Sequence, residues 1–179
     1  MDTLEYNCYF DRLEMAKIKG RNFFEQLDKS LQELPIDVQK IVEQNPNWSL
    51  FFSNLYGEDG YTIYKIKNNK KKYKICVDPY GMVERIRFTI AHEIGHIVLG
   101  HFEEYSNMLL TDEEAYILDK EADMFAGEIL MPYKYMLIYH NWSIKGLTYR
   151  FHVSKEAVKV RLSVLEKDKT FIRAINGYY

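Results

Sequence analysis

Residues 92–96 read His-Glu-Ile-Gly-His, and no other stretch limits the possible folds as tightly. On a helix His92 and His96 stand one turn apart on one face, so two imidazoles can converge on a single metal ion. Glu93 lies about 100° round the same helix, placed to hold a water beside the metal without ligating it. The chain must therefore supply a helix here and a third ligand from some other element. Ile90, Ala91, Ile94, Ile97, Val98 and Leu99 surround the polar residues with apolar side chains. A helix apolar on most sides is buried, and buried imidazoles and carboxylates require partners, which a metal provides. The competing reading is a core helix whose histidines are satisfied by hydrogen bonds alone. Gly95 costs about 1 kcal/mol in a helix interior, which implies close approach by another element.

Catalytic zinc takes three protein ligands and keeps one position open. Leu99 and Phe102 occupy the places where an extended motif would carry Gly and a third His, so that extension is excluded. His101, five residues beyond His96, reads as a solvated loop residue. The carboxylate is expected from a second helix, near Thr111 to Met131, which Pro132 stops. Asp119 and Asp123 sit at i and i+4, and Ala122, Ala126 and Leu130 lie within about 60° of Asp119 on the helical wheel. That small-residue face favours Asp119 as the third ligand, with Asp123 orienting a ligand imidazole. Glu121 projects about 160° away from Asp119, yet a bent helix could turn it inward, and it stays open as the alternative ligand.

The remaining pattern is mainly helical with a small β-sheet. Apolar residues recur at helical spacing from about Asp11 to Leu34, although Gly20 interrupts them, and a shorter amphipathic segment follows Pro35. Tyr61–Ile66 and Tyr73–Val77 are β-rich, with Asn68-Asn69 between them as a turn. Lys65, Lys67, Lys70, Lys71, Lys72 and Lys74 bracket that turn and are read as edge protection. Residues 100–111 are expected as a loop with a turn or two. The acidic residues Glu103, Glu104, Asp112, Glu113 and Glu114 are read as solvated, with gating of the site as the alternative. A length of 179 residues suits one domain, and a net charge of -2 implies no nucleic-acid footprint. The first residues, MDTLEYNCYF, show no basic segment followed by an apolar one, and no apolar run is long enough for a membrane span. A cytoplasmic location is therefore expected, with Cys8 and Cys76 as reduced, buried thiols.

Arg87-Phe88-Thr89-Ile90-Ala91-His92-Glu93-Ile94-Gly95-His96 resembles the R-F-T-x-A-H-E-x-G-H signature of the ImmA/IrrE family of zinc metallopeptidases. Asp119-Lys120-Glu121-Ala122-Asp123-Met124-Phe125-Ala126, with Ile129-Leu130-Met131-Pro132, is similar to that family's E-x-E-A-x-x-F-A…L-L-M-P. The looser similarity covers roughly residues 48–165. The resemblance implies a zincin-like α+β fold, a Zn2+ held by His92, His96 and a carboxylate of the second helix, and Glu93 as general base. Asp119 departs from the usual Glu and is one methylene shorter, so the helix must lie nearer the metal, or a water or Glu121 must fill in. The resemblance further implies a protein substrate, a helix–turn–helix repressor whose cleavage derepresses a mobile-element, phage or stress operon. Some relatives of this kind serve in toxin–antitoxin modules instead.

The expected division is an N-terminal helical segment (1–46), a zincin-like metallopeptidase core (47–140) and a C-terminal helical pair packed on it (141–179). That pair, from Ile144 through Phe151 and Ser154 to Leu162, has a helix–turn–helix-like pattern with Ser154 as N-cap. Lys155, Lys159 and Arg161 could meet phosphates, although packing on the core without reading DNA is the favoured reading. The competing function is a non-enzymatic regulator that binds a repressor or DNA around a structural metal. Glu93 speaks against it, having no duty in such a site.

Overall fold

The computed structural model describes residues 3–105 and 109–177, with side chains described from residue 9 onward. The protein is α+β and mainly helical, with one three-stranded sheet among the described residues. Helix α1 (Thr3–Gln26) begins earlier than the apolar spacing suggests and ends sooner. A short 3-10 turn at Lys29–Leu31 follows, and the Gln32 side-chain amide donates to the Leu27 carbonyl (2.7 Å) where the helix has stopped. Gly20 is required rather than tolerated. A Cβ there would lie 2.9 Å from Glu128 Cβ, because α1 runs hard against the later helix α5 (Asp112–Leu130).

After α2 (Val38–Gln44) the chain forms β1 (Trp48–Phe52), β2 (Gly60–Lys67) and β3 (Lys70–Val77) in the order β1-β3-β2. The β2–β3 hairpin turns at Asn68-Asn69, both with positive φ (51° and 58°), as a tight primed turn demands. β1 pairs in parallel with β3, from Trp48 opposite Tyr73 to Phe52 opposite Val77. That strand was not expected: five residues with no local partner carry little periodicity of their own. The lysines serve several ends. Lys65 and Lys67 lie exposed on the edge strand β2, Lys74 covers the Phe51 ring, and Lys72 donates to the Pro46 carbonyl.

Ile75 and Val77 on β3 are fully buried beneath α3 (Val83–Leu99), which lies between the sheet and α5. Gly100, with φ 89°, closes α3, and the chain turns at once into the short α4 (His101–Tyr105). This segment is more ordered than the expected loop. Glu103 accepts from the Tyr73 hydroxyl and pairs with Lys71 Nζ (2.9 Å), which ties α4 to β3. Residues 106–108 of the expected loop lie outside the described residues. Thr111 and Glu114 form a reciprocal capping box that starts α5, so part of the acidic stretch is helix-capping rather than loop.

Beyond Pro132 come α6 (Tyr133–Tyr139), α7 (Ile144–Phe151), α8 (Lys155–Glu166) and α9 (Lys169–Ile175). Ser154 caps α8 by accepting from the Ala157 amide, as the sequence indicates. Arg161 follows the favoured reading, packing on the core. It is buried, its guanidinium forks onto Glu128 (2.8 and 2.6 Å), and its Nε donates to the Met131 carbonyl. It is therefore withdrawn from any phosphate contact, while Lys155 and Lys159 remain exposed. Cys76 is a buried free thiol, and Cys8 lies outside the residues with described side chains. Among the described residues no helix is long and apolar enough to cross a membrane.

Candidate metal centre

Ile90, Ala91 and Ile94 of α3 are fully buried, which fixes the helix rotation and turns His92 and His96 toward a cleft on the opposite side. Their Nε2 atoms stand 3.0 Å apart. Asp119 Oδ1 reaches in from α5, 3.4 Å from His96 Nε2 and 3.9 Å from His92 Nε2. The close approach of α3 and α5 makes this possible for so short a side chain. A Cβ on Gly95 would lie only 3.2 Å from both the Cα and the carbonyl oxygen of Ala122. Glycine facing alanine thus brings the two backbones near enough for the short Asp119 side chain to reach both imidazoles.

Asp123, one turn along α5, accepts from His92 Nδ1 (3.0 Å), and its other oxygen accepts from Lys120 Nζ (2.8 Å). Burial would raise the Asp123 carboxyl, but His92 and Lys120 outweigh it and hold it below the usual carboxylate range. Asp119 is likewise lowered, chiefly by its interaction with His96.

One expectation fails on the far side of His96. His101 is not solvated: it is 6% exposed, because the left-handed turn at Gly100 folds α4 back against the last turn of α3. Its Nδ1 lies 2.8 Å from His96 Nδ1, and its Nε2 lies 3.0 Å from Glu121 Oε2. Burial pushes the His101 imidazole below its ordinary value. Glu121, the alternative ligand, is turned away from the cleft and fully engaged. Arg12 of α1 forks onto it (2.6 and 2.9 Å). Burial would raise its carboxyl, yet His101 and Arg12 together hold it at about 2. α5 is one unbroken helix, Asp112–Leu130, and Glu121 lies on the side opposite Asp119, as the wheel projection has it.

Glu93 is 7% exposed and lies in the cleft wall, where its carboxylate accepts from the Thr62 hydroxyl of β2 (2.7 Å). The cleft measures about 410 Å³, and Gly60, Tyr61 and Thr62 of β2 line it together with Phe88 and Phe102. Neither Thr62 nor His101 was singled out in this role from sequence. An i+5 histidine after the motif was a visible signal, but its significance depends on the turn at Gly100.

The donor set suits a metal. A carboxylate is acceptor-only, so the contact with Asp123 puts the His92 proton on Nδ1 and leaves the Nε2 lone pair facing the cleft. The chain from Glu121 through His101 does the same for His96. Two lone pairs and an anionic oxygen thus point at one place, an arrangement that repels itself unless a cation sits there. A tetrahedral zinc ion with bonds of about 2.0–2.2 Å separates its ligand atoms by about 3.3–3.6 Å. The three separations here, 3.0, 3.4 and 3.9 Å, bracket that range.

A peptidase M78 family model, described as the IrrE N-terminal-like domain, matches residues 46–163, which include α3 and α5. The chain belongs to the ImmA/IrrE family. This is a metallopeptidase-type family, generally zinc-dependent, and α1 lies outside the matched region. No curated protein matches the sequence significantly. Among solved structures, a Mycobacterium tuberculosis transcriptional regulator superposes with a TM-score of 0.66 at 19% identity. The superposition covers 94% of this ImmA/IrrE chain and 54% of that protein, so the chain spans about half its length. At that identity the likeness is one of fold.

Proposed function

We propose that this protein is a zinc-dependent endopeptidase whose substrate is a helix–turn–helix repressor, cleaved to derepress a mobile-element, phage or stress operon. The observation that carries the hydrolytic reading is the convergence of His92 Nε2, His96 Nε2 and Asp119 Oδ1 in the same cleft as the buried carboxylate of Glu93. His92, His96 and Asp119 are the proposed ligands, and Asp123 orients His92. When bound there, zinc supplies Lewis acidity, which polarises a carbonyl and makes water more acidic. Glu93, held by Thr62, takes the proton from the attacking water and later delivers it to the leaving amine. Phe88 and Phe102 line the same cleft, their rings beside His92 and His96 respectively.

The competing reading, a regulator or toxin–antitoxin component with a structural metal, would act through the C-terminal helices. Burial of Arg161 against Glu128 removes one of the three cations that reading relies on. The test is Glu93→Gln, co-expressed with a helix–turn–helix repressor encoded nearby. The variant should retain one zinc per chain and lose cleavage by about 10²–10⁴-fold. Undiminished cleavage would sink the proposed role of Glu93. Unchanged derepression without any cleavage would favour the regulator.

A further inference from the structure

We infer that His101 is a positioning residue for His96, and that the N-terminal helix controls it through Arg12 and Glu121. This inference rests on the metal-centre reading above and assigns a duty to a part of the chain outside residues 46–163.

The two imidazoles of the metal-facing pair are steadied in different ways. His92 meets a carboxylate directly, at Asp123. His96 instead meets a second imidazole, and the carboxylate stands one step further back. Glu121 accepts two hydrogen bonds from Arg12 and one from His101, so its oxygens have no proton to give. His101 must then carry its hydrogen on Nε2, which leaves Nδ1 as an acceptor. The 2.8 Å contact between His101 Nδ1 and His96 Nδ1 requires the hydrogen to come from His96. With that hydrogen placed, His96 Nε2 keeps its lone pair for the cleft. Reversing any one link leaves two hydrogens or two lone pairs face to face elsewhere in a buried row, so the tautomers are set together.

The far end of the row is Arg12 on α1. Its partner, Glu121, is only two residues from Asp119 but faces the opposite side of α5. α5 thus touches the metal-facing set twice, through Asp119 at the cleft and through Glu121 behind His96. A separate cavity of about 310 Å³ lies along this row, lined by Arg12, Lys19, Leu99, His101 and Glu121 among others. It gives replacement side chains room to settle without forcing the helices apart.

The experiment compares the full-length wild type with His101→Phe, His101→Gln and Arg12→Met. Zinc affinity is read by chelator competition, the cobalt-substituted protein by its visible spectrum, and the metal-free protein by thermal unfolding. His101→Phe keeps the ring volume and deletes both nitrogens, and it should weaken zinc binding by about 10–100-fold and alter the cobalt spectrum. His101→Gln offers an amide oxygen to His96 and an amide hydrogen to Glu121, and it should restore most of the affinity. Arg12→Met should weaken binding in the same direction by several-fold. Because Arg12 is partly exposed beside the cavity, that variant carries the test even if His101→Phe does not fold. Wild-type affinity and an unchanged cobalt spectrum in both His101→Phe and Arg12→Met would overturn the inference. So would a lower unfolding temperature with unaltered zinc binding, which would mean a purely structural role. A wild-type protein that binds no zinc would overturn the metal-centre reading, and this inference with it.

Discussion

Gly95→Ala tests the geometry that brings Asp119 within reach of the two imidazoles. The added Cβ would stand 3.2 Å from Ala122 Cα, 3.2 Å from Ala122 O and 3.3 Å from Phe125 Cβ. Non-bonded carbons settle at about 3.5–4.0 Å, so α3 and α5 must part by about 0.3–0.5 Å. The contacts are backbone and Cβ atoms, which cannot swing aside. Overpacking of this kind costs about 1–3 kcal/mol, and the better helix propensity of alanine returns about 1 kcal/mol. The metal-free variant should therefore lose at most about 2 kcal/mol. Zinc affinity should suffer more than stability, because Asp119 lies one turn from Ala122 and metal–ligand distances tolerate only about 0.2 Å. Denaturant unfolding in the presence of chelator gives the first quantity, and competition for zinc gives the second. A variant about 1 kcal/mol more stable than wild type, with unchanged zinc affinity, would refute the close-approach argument.

Thr62→Val removes the only described hydroxyl donor to Glu93 and leaves a buried carboxylate oxygen short of a partner. Cleavage of the proposed substrate should slow by about 10–100-fold with zinc content intact, and a wild-type rate would show the bond to be idle. Arg161→Met strips Glu128, itself 1% exposed, of its main cation and should destabilise the fold by about 3–5 kcal/mol in denaturant unfolding. A loss below about 1 kcal/mol would contradict that pairing. Asp168 both caps α9 and pairs with Arg21 (2.8 Å). Burial would raise its carboxyl, but Arg21 and the Phe171 amide prevail and lower it. A folded value below the unfolded one stabilises the protein above the ordinary Asp range, and that contribution fades as pH falls through the folded value. The stability gap between wild type and Asp168→Asn should accordingly shrink between pH 6 and pH 3, and a gap that widened on acidification would reverse the sign.

Helices α3 and α5 were legible because their information is local. Apolar spacing set the rotation of α3, and the alanines at 122 and 126 marked the face of α5 that meets it. The hairpin was legible for the same reason, its two asparagines announcing the turn. What escaped depended on distant pairings. β1 exists only because Trp48–Phe52 finds β3 some two dozen residues on. Arg12 and Glu121 are 109 positions apart, and nothing in either segment announces the other. Arg161 reads as an ordinary surface cation until Glu128 is seen beneath it, since composition cannot tell a solvated guanidinium from a buried one. His101 was misjudged because its burial follows from a single left-handed residue before it.

The back of α5 is clamped by charge from both ends of the chain: Glu128 holds Arg21 and Arg161, and Arg21 also holds Asp168. A cylinder gripped in this way cannot roll. Because Asp119 projects about 5–6 Å from the cylinder's axis, a roll of about 10° would carry its oxygen about 1 Å off target. Damage at either tail should therefore shift Asp119 relative to the two imidazoles as well as weaken the fold.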